Sequence, residues 1–202
     1  MITKKFLLPG LAVLLLVQTG CIFSPDPDPN PIIDPPVVLP FPGTKDQVME
    51  NFRIIYENMD IAGFRTLLHP DYLCFLQQST IDAFPSVGET LDITEELQIH
   101  ERMFSGQSGT DAQEELTNPI SSIGFAEPEQ ITNWARSPAD DRIPNADFAR
   151  FNVFFEFHQT GSKILQVQGE IIFYLTSRDS LHEGITKPYY QMIGQVDLTE
   201  DE

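Results

Sequence analysis

The chain has 202 residues, 41% hydrophobic and 10% aromatic, enough for one domain with a proper core and hardly two. Twelve Lys and Arg face 30 Asp and Glu, a formal charge of -18, which excludes a nucleic-acid phosphate binder or a polybasic reader of membranes. With 21% charged residues, 15 Phe and two Cys, the sequence is neither an acidic disordered tail nor a disulfide-stapled miniprotein.

Residues 1–20 carry Lys4 and Lys5, an apolar run from Phe6 to Val17, and then Gln18-Thr19-Gly20 before Cys21. This is the order of a secretory signal, and the run falls short of the roughly twenty apolar residues a spanning helix needs. Thr19-Gly20-Cys21 resembles the lipobox of bacterial lipoprotein signals, with Gln18 where that pattern usually has an aliphatic residue. The resemblance implies cleavage before Cys21, lipid attachment at Cys21, and a protein of the bacterial cell envelope held extracytoplasmically on a membrane. Cys74 is then the remaining thiol, expected to be a small buried hydrophobe.

Residues 21–43 form a tether holding eight of the 16 prolines, Pro25 to Pro42. Each proline removes an amide donor and biases its predecessor to extended geometry, so the string is a spacer. In polyproline II at about 3.1 Å per residue it reaches up to roughly 60 Å.

The folded domain is expected over 44–202. Thr44 and Gln47 have the form of a capping box, and Val48, Phe52, Ile55, Tyr56 and Met59 recur at helical spacing. Asp60 caps a short second helix with Phe64, Leu67 and Leu68, ended by His69-Pro70. Tyr72–Leu76 reads as a strand and 77–90 as a polar loop. Asp92 and Glu95 open a third helix carrying Leu97, His100, Met103 and Phe104, which Gly106 stops.

Beyond Gly106 the period falls toward two. Leu116–Phe125 is a strand that Pro119 confines to an edge or a bulge. Phe148–Phe157 alternates with Phe151, Val153, Phe155 and Phe157 on one face, and Thr160-Gly161-Ser162 turns the chain. A three-residue loop sets Phe157 opposite Leu165 and Phe155 opposite Val167. A last strand over about Tyr189–Leu198 completes an α+β order, helices first and long strands last.

The stretch Val48–Asp60, followed by Phe64–Tyr72, the helix to Phe104, the long hairpin and Pro188–Ile193, resembles the NTF2-like (SnoaL-like, cystatin-type cone) family. The resemblance implies N-terminal helices packed on a curved antiparallel sheet over about 44–199, with a cavity at the open end. It also points to a homodimer. Its members include isomerases, cyclases and non-catalytic binding modules, so the fold does not choose among them. No family catalytic motif matches a numbered position.

Glu170, in mid-strand, is the carboxylate that a dry cone would turn into a general base, and His100 and His69 are the alternatives. Tyr56, Phe104, Trp134 and Tyr190 are the candidates to line a pocket for a small apolar ligand. The four His are scattered and no paired-Cys or HExxH spacing occurs, so neither a metal site nor a cofactor is expected. The outward hairpin face, mixing Phe148, Arg150, Asn152 and Phe154 with Gln168, Glu170, Ile172 and Tyr174, suits a homodimer or an envelope protein partner. The expectation is a membrane-anchored lipoprotein with a non-catalytic ligand-binding or assembly domain. A small-molecule enzyme of the ketosteroid-isomerase or polyketide-cyclase type is the alternative.

Overall fold

The computed structural model describes residues 37–198 except 112 and 114. The signal segment, Cys21 and the tether up to Pro36 lie outside the described residues, and the compact unit begins at Val37.

Helix α1 (Lys45–Glu57) starts where Thr44 Oγ1 accepts the Gln47 amide, 3.1 Å. Only that half of the capping box forms, because the Gln47 side chain turns along the helix to donate to Asn51 Oδ1, 3.1 Å. Asp60 caps α2 (Ile61–Leu67) by accepting from Ala62 and Gly63. Strand β1 (Leu68–Phe75) follows at once, four residues earlier than the apolar run suggests. The segment read as a loop contains a short helix α3 (Gln78–Ala83), none of it buried, and a short strand β2 (Thr90–Asp92). Helix α4 (Ile93–Phe104) opens with a complete Asp92/Glu95 box, and Gly106 beyond its end sits at φ 66°, where glycine is favoured.

The following segment runs as three short strands, β3 (Ile120–Phe125), β4 (Glu129–Gln130) and β5 (Ala135–Arg136), all antiparallel to β6 (Asp147–Gln159). Together they make one broken sheet edge, a poor template for pairing with another chain. β6 continues into the twenty-residue β7 (Lys163–His182) in the register read from the pattern: Phe157 faces Leu165, Phe155 faces Val167 and Asn152 faces Glu170. Gly161 and Ser162 take the positive φ values of the turn, 87° and 67°. β7 turns into β8 (Ile185–Asp197) through Glu183 and Gly184, both at positive φ, as a two-residue mirror-image turn requires.

The path through the sheet is β2-β1-β8-β7-β6-β3. It is mixed rather than wholly antiparallel, since β1 pairs with β8 in parallel. The two are separated by most of the domain, so the long crossover that a parallel pair needs is available. Bulges at Leu68/Leu73, Tyr174/Leu175 and Ile120/Ser122 help the sheet curl around α1, α2 and α4. The result is the expected α+β cone.

Inside the curl, Phe52 meets Tyr56, Phe125 and Phe173 with ring centroids 4.7–5.5 Å apart. The outer face has a second cluster, Ile143, Ala146, Tyr174 and Val196, covered by the loop 137–146. That loop is pinned by Ser137, whose buried hydroxyl donates to Ile143 O and accepts from Ala146 N, and by Tyr174, whose hydroxyl donates to Asp141 at 2.9 Å. The chain therefore covers part of the sheet face on which a partner was expected. Gly194 lets this happen, because a Cβ there would run into Ile143 and stand 2.7 Å from Leu73 O. Gly194→Ala is expected to lower stability by about 1–3 kcal/mol in urea denaturation and to loosen the loop.

Residues 39–43 are built onto the domain. Leu39 packs on the core, Tyr190 N donates to Pro42 O at 2.9 Å, and Phe41 stacks on His182 at 4.1 Å. Asn51, buried on α1, donates to Pro40 O at 2.8 Å. Asn51→Ala leaves that carbonyl without its partner and is expected to cost about 1–3 kcal/mol, with faster proteolysis ahead of Gly43 as the second readout.

Candidate functional site

Three elements converge inside the cone. Helical spacing puts Phe52 and Tyr56 on the inner side of α1, and Glu96, His100 and Phe104 on the inner side of α4; Tyr72 and Cys74 point inward from β1. All seven are buried.

His100 lies flat on Phe64, centroids 4.0 Å apart, with the edges of Tyr56 and Phe104 beside it at 5.4 and 5.3 Å. Its Nδ1 is 2.9 Å from the Glu96 carbonyl oxygen and its Nε2 is 2.5 Å from the Tyr56 hydroxyl. A neutral ring protonated on Nδ1 satisfies both: Nδ1–H donates to the carbonyl, and Nε2 accepts from Tyr56. Burial pushes the His100 pKa down to about 4, which keeps that tautomer neutral.

The Glu96 carboxyl, 5% exposed, lies 3.6 Å from the same Nδ1. Burial raises its pKa to about 7, an effect tempered by the neighbouring Tyr72 hydroxyl. That hydroxyl sits among Glu96, Cys74 and Tyr56 without a well-aligned hydrogen bond, and burial raises its pKa well above 10. Burial likewise pushes the Cys74 thiol up to about 12, and Gln195 Nε2 donates to its sulfur at 3.2 Å. A thiol so protonated is a poor nucleophile.

Of the expected site residues, the fold brings together His100, Tyr56 and Phe104. Trp134 is elsewhere, tilted against Phe151 at 5.6 Å under the Lys45 ammonium, and Tyr190 packs at the core's edge from β8. Glu170 is on the outer face of the sheet, in an ion pair with Arg150 at 3.2 Å and 42% exposed, so it does not enter the cone. An inward charge at that register would demand that β6 and β7 turn Phe155 and Phe173 outward, which the hydrophobic face forbids. His69 stands at the rim of a surface groove.

Sequence reasoning missed Glu96 and Tyr72. Glu96 had a signal, for it is four residues before His100 and shares its helix face. Tyr72 had none beyond its strand, because its direction depends on the bulge in β1.

The interior is filled by rings: Phe52, Tyr56, Phe64, Phe104, Phe125 and Phe155 pack at 4.0–6.1 Å, all at least nine-tenths buried. Open space lies outside. A groove of about 780 Å³ runs past Phe75, Gln78, Glu89, Arg142 and Leu198. Another of about 430 Å³ is lined by Arg65, Leu68, His69, Pro70, Ile93, Arg178 and Gln191. A third, about 310 Å³, lies where Leu39–Pro42 dock. Among the described residues, no three His, Cys, Asp or Glu side chains gather as a metal-ligand set.

Helices laid in the concavity of a curled mixed sheet, with β6, β7 and β8 running as a meander, form an α+β cone, the shape that the NTF2-like resemblance implies. No protein-family model matches the sequence, and no curated protein matches it. Solved structures of similar shape include a conserved protein from Planctomyces limnophilus DSM 3776, at 8% identity and TM-score 0.49, covering 76% of this chain and 92% of its own. An NTF2-like protein of unknown function in nutrient uptake from Rhodospirillum rubrum ATCC 11170 has 11% identity and TM-score 0.42, covering 76% and 96%. A ketosteroid isomerase-like protein from Erwinia carotovora atroseptica SCRI1043 has 10% identity and TM-score 0.42, covering 76% and 92%.

Proposed function

We propose that the chain is a lipoprotein of a bacterial envelope, anchored to a membrane through Cys21, whose NTF2-like domain is a non-catalytic binding module using its outer surface. The observation that carries the non-catalytic reading is the His100–Tyr56 bond: the only basic nitrogen of the neutral ring is already occupied, behind a wall of aromatic rings. A general base needs a free lone pair within reach of a substrate proton. The lipobox and the Pro-rich spacer support the anchoring.

Labelling of a bacterial host with a fatty acid tests the anchor. The protein is expected to carry the label and to partition with membranes, and Cys21→Ser to lose both. Retention of label by Cys21→Ser would overturn the assignment.

The open part of the outer sheet face, around Arg150, Asn152 and Gln168, is where a second copy or an envelope protein would dock. Light scattering showing a monomer that persists at high concentration would remove the homodimer. An enzyme of the ketosteroid-isomerase type is the second reading, favoured by one observation: Glu96, with its pKa lifted to about 7, is a proton carrier inside the cone. Turnover of a 3-keto steroid that Glu96→Gln abolishes would promote it over the first.

A further inference from the structure

Carboxylates outnumber cations in this chain by 30 to 12, so two arginines that line one groove and pair with no carboxylate stand out. Lys45, Arg53, Arg136, Arg150 and Lys187 each lie within 4.0 Å of a carboxylate. Among the described residues Arg65, Arg102, Arg142 and Arg178 have no such ion pair, and two of these four, Arg65 and Arg178, line the groove of about 430 Å³ together with His69. They come from different elements, the last turn of α2 and the C-terminal end of β7, so their presence in one groove is a product of the fold.

The groove is held in shape. Gln191 donates from its amide to both Thr66 O and Leu68 O, at 3.1 and 3.0 Å, tying β8 to the α2–β1 junction. Arg178 lies over the Tyr189 ring at 5.4 Å, which restricts its guanidinium. One wall is apolar, from Leu68, Pro70 and Ile93. The Asp71 carboxylate, 3.8 Å from His69 Nδ1, is 85% exposed, so water rather than the groove surrounds it.

We propose that this groove binds a soluble organic oxyanion, a phosphate or carboxylate head with an apolar body, the head held between Arg65 and Arg178 and the body against Ile93 and Pro70. Guanidinium forks match the planar or bidentate face of such a head, and the apolar wall gives a reason for the head to carry a body. The proposal rests on the reading that ligands meet the outer surface of the domain, and it names their chemical class.

The test follows the arginine Nε–Hε and histidine ring resonances of the full chain in non-ionic micelles by NMR. The titrants are inorganic phosphate, phenyl phosphate and, separately, phosphatidylglycerol vesicles. Saturable shifts at Arg65 and Arg178 are expected with both soluble phosphates, tighter for phenyl phosphate. Arg65→Ala and Arg178→Ala should each weaken binding about tenfold, the worth of one charged hydrogen-bond pair. Arg102→Ala, which removes an arginine outside the groove, should change nothing. No saturable shift at either arginine, an equal loss in Arg102→Ala, or a response to vesicles alone would overturn the proposal. Shifts at the His100 ring would instead overturn the outer-surface reading, so the two failures are distinct.

Discussion

Replacing Phe52 by Ala is expected to lower the unfolding free energy by about 3–5 kcal/mol, the range for emptying a closed aromatic site. Phe52 is 2% exposed and its ring is the hub where α1 meets the edge strand β3 and the central strand β7, touching Tyr56, Phe125 and Phe173. Domains of this size have about 5–15 kcal/mol in total, so the variant loses a large part of its margin. Urea denaturation followed by tryptophan fluorescence measures it, since Trp134 packs on the sheet through Phe151. A loss below about 1 kcal/mol, well under that range, would mean that the neighbouring rings close over the gap and that the interior is softer than its packing implies.

The second large effect is on the pH dependence of stability, through Glu96→Gln. The folded protein holds the Glu96 proton up to about pH 7, whereas the unfolded chain releases it near 4.5. Between those values the folded state binds more protons, so rising pH costs the wild type stability, about 3 kcal/mol by the upper limit. The amide that replaces the carboxyl does not titrate. Relative to the wild type, and taking acid pH as reference, the variant should therefore gain about 3 kcal/mol as pH rises from 4.5 to above 7.

His100 acts in the opposite sense. It is neutral when folded down to about pH 4 but protonates near 6.5 when unfolded, so its contribution is lost as pH falls through that window. The two contributions offset each other from 4.5 to 6.5 in the wild type, and Glu96→Gln should expose the His100 slope. Denaturation midpoints for both proteins, measured from about pH 4 to 8, check this. Parallel profiles would show that Glu96 ionises normally and that water reaches it.

Local chemistry made much of the fold legible. Asp60 and the Asp92/Glu95 pair announced two helix starts because caps act within four residues, and alternation from Phe151 to Phe157 set the hairpin register because a one-residue slip would expose every ring. The β7–β8 turn was missed because Glu183-Gly184 replaces the usual Asn-Gly, and β4 and β5 because two-residue strands have no period. The parallel β1–β8 pair joins residues some 120 positions apart, beyond any local pattern. At the site, His100 was visible on its helix face, but its partners were not. The Tyr56 hydroxyl reaches it from another helix, and Tyr72 and Glu96 became neighbours only when α4 packed on β1. Glu170 illustrates the converse, since an isolated mid-strand charge reads the same whether it faces a cavity or an arginine across the outer sheet.

The central claim is that the cone is closed and that His100 is spent on holding it together. Long-range 1H–15N NMR of the His100 ring between about pH 5 and 8, the window in which an ordinary histidine titrates, tests it most directly. The account predicts one unchanging pattern, Nδ1 protonated and Nε2 bare and accepting, indifferent to pH across that range and to added steroid or other apolar ligand. A ring that titrates near the ordinary value of about 6.5, or that moves when an apolar ligand is added, would contradict it and reopen the interior as an active site.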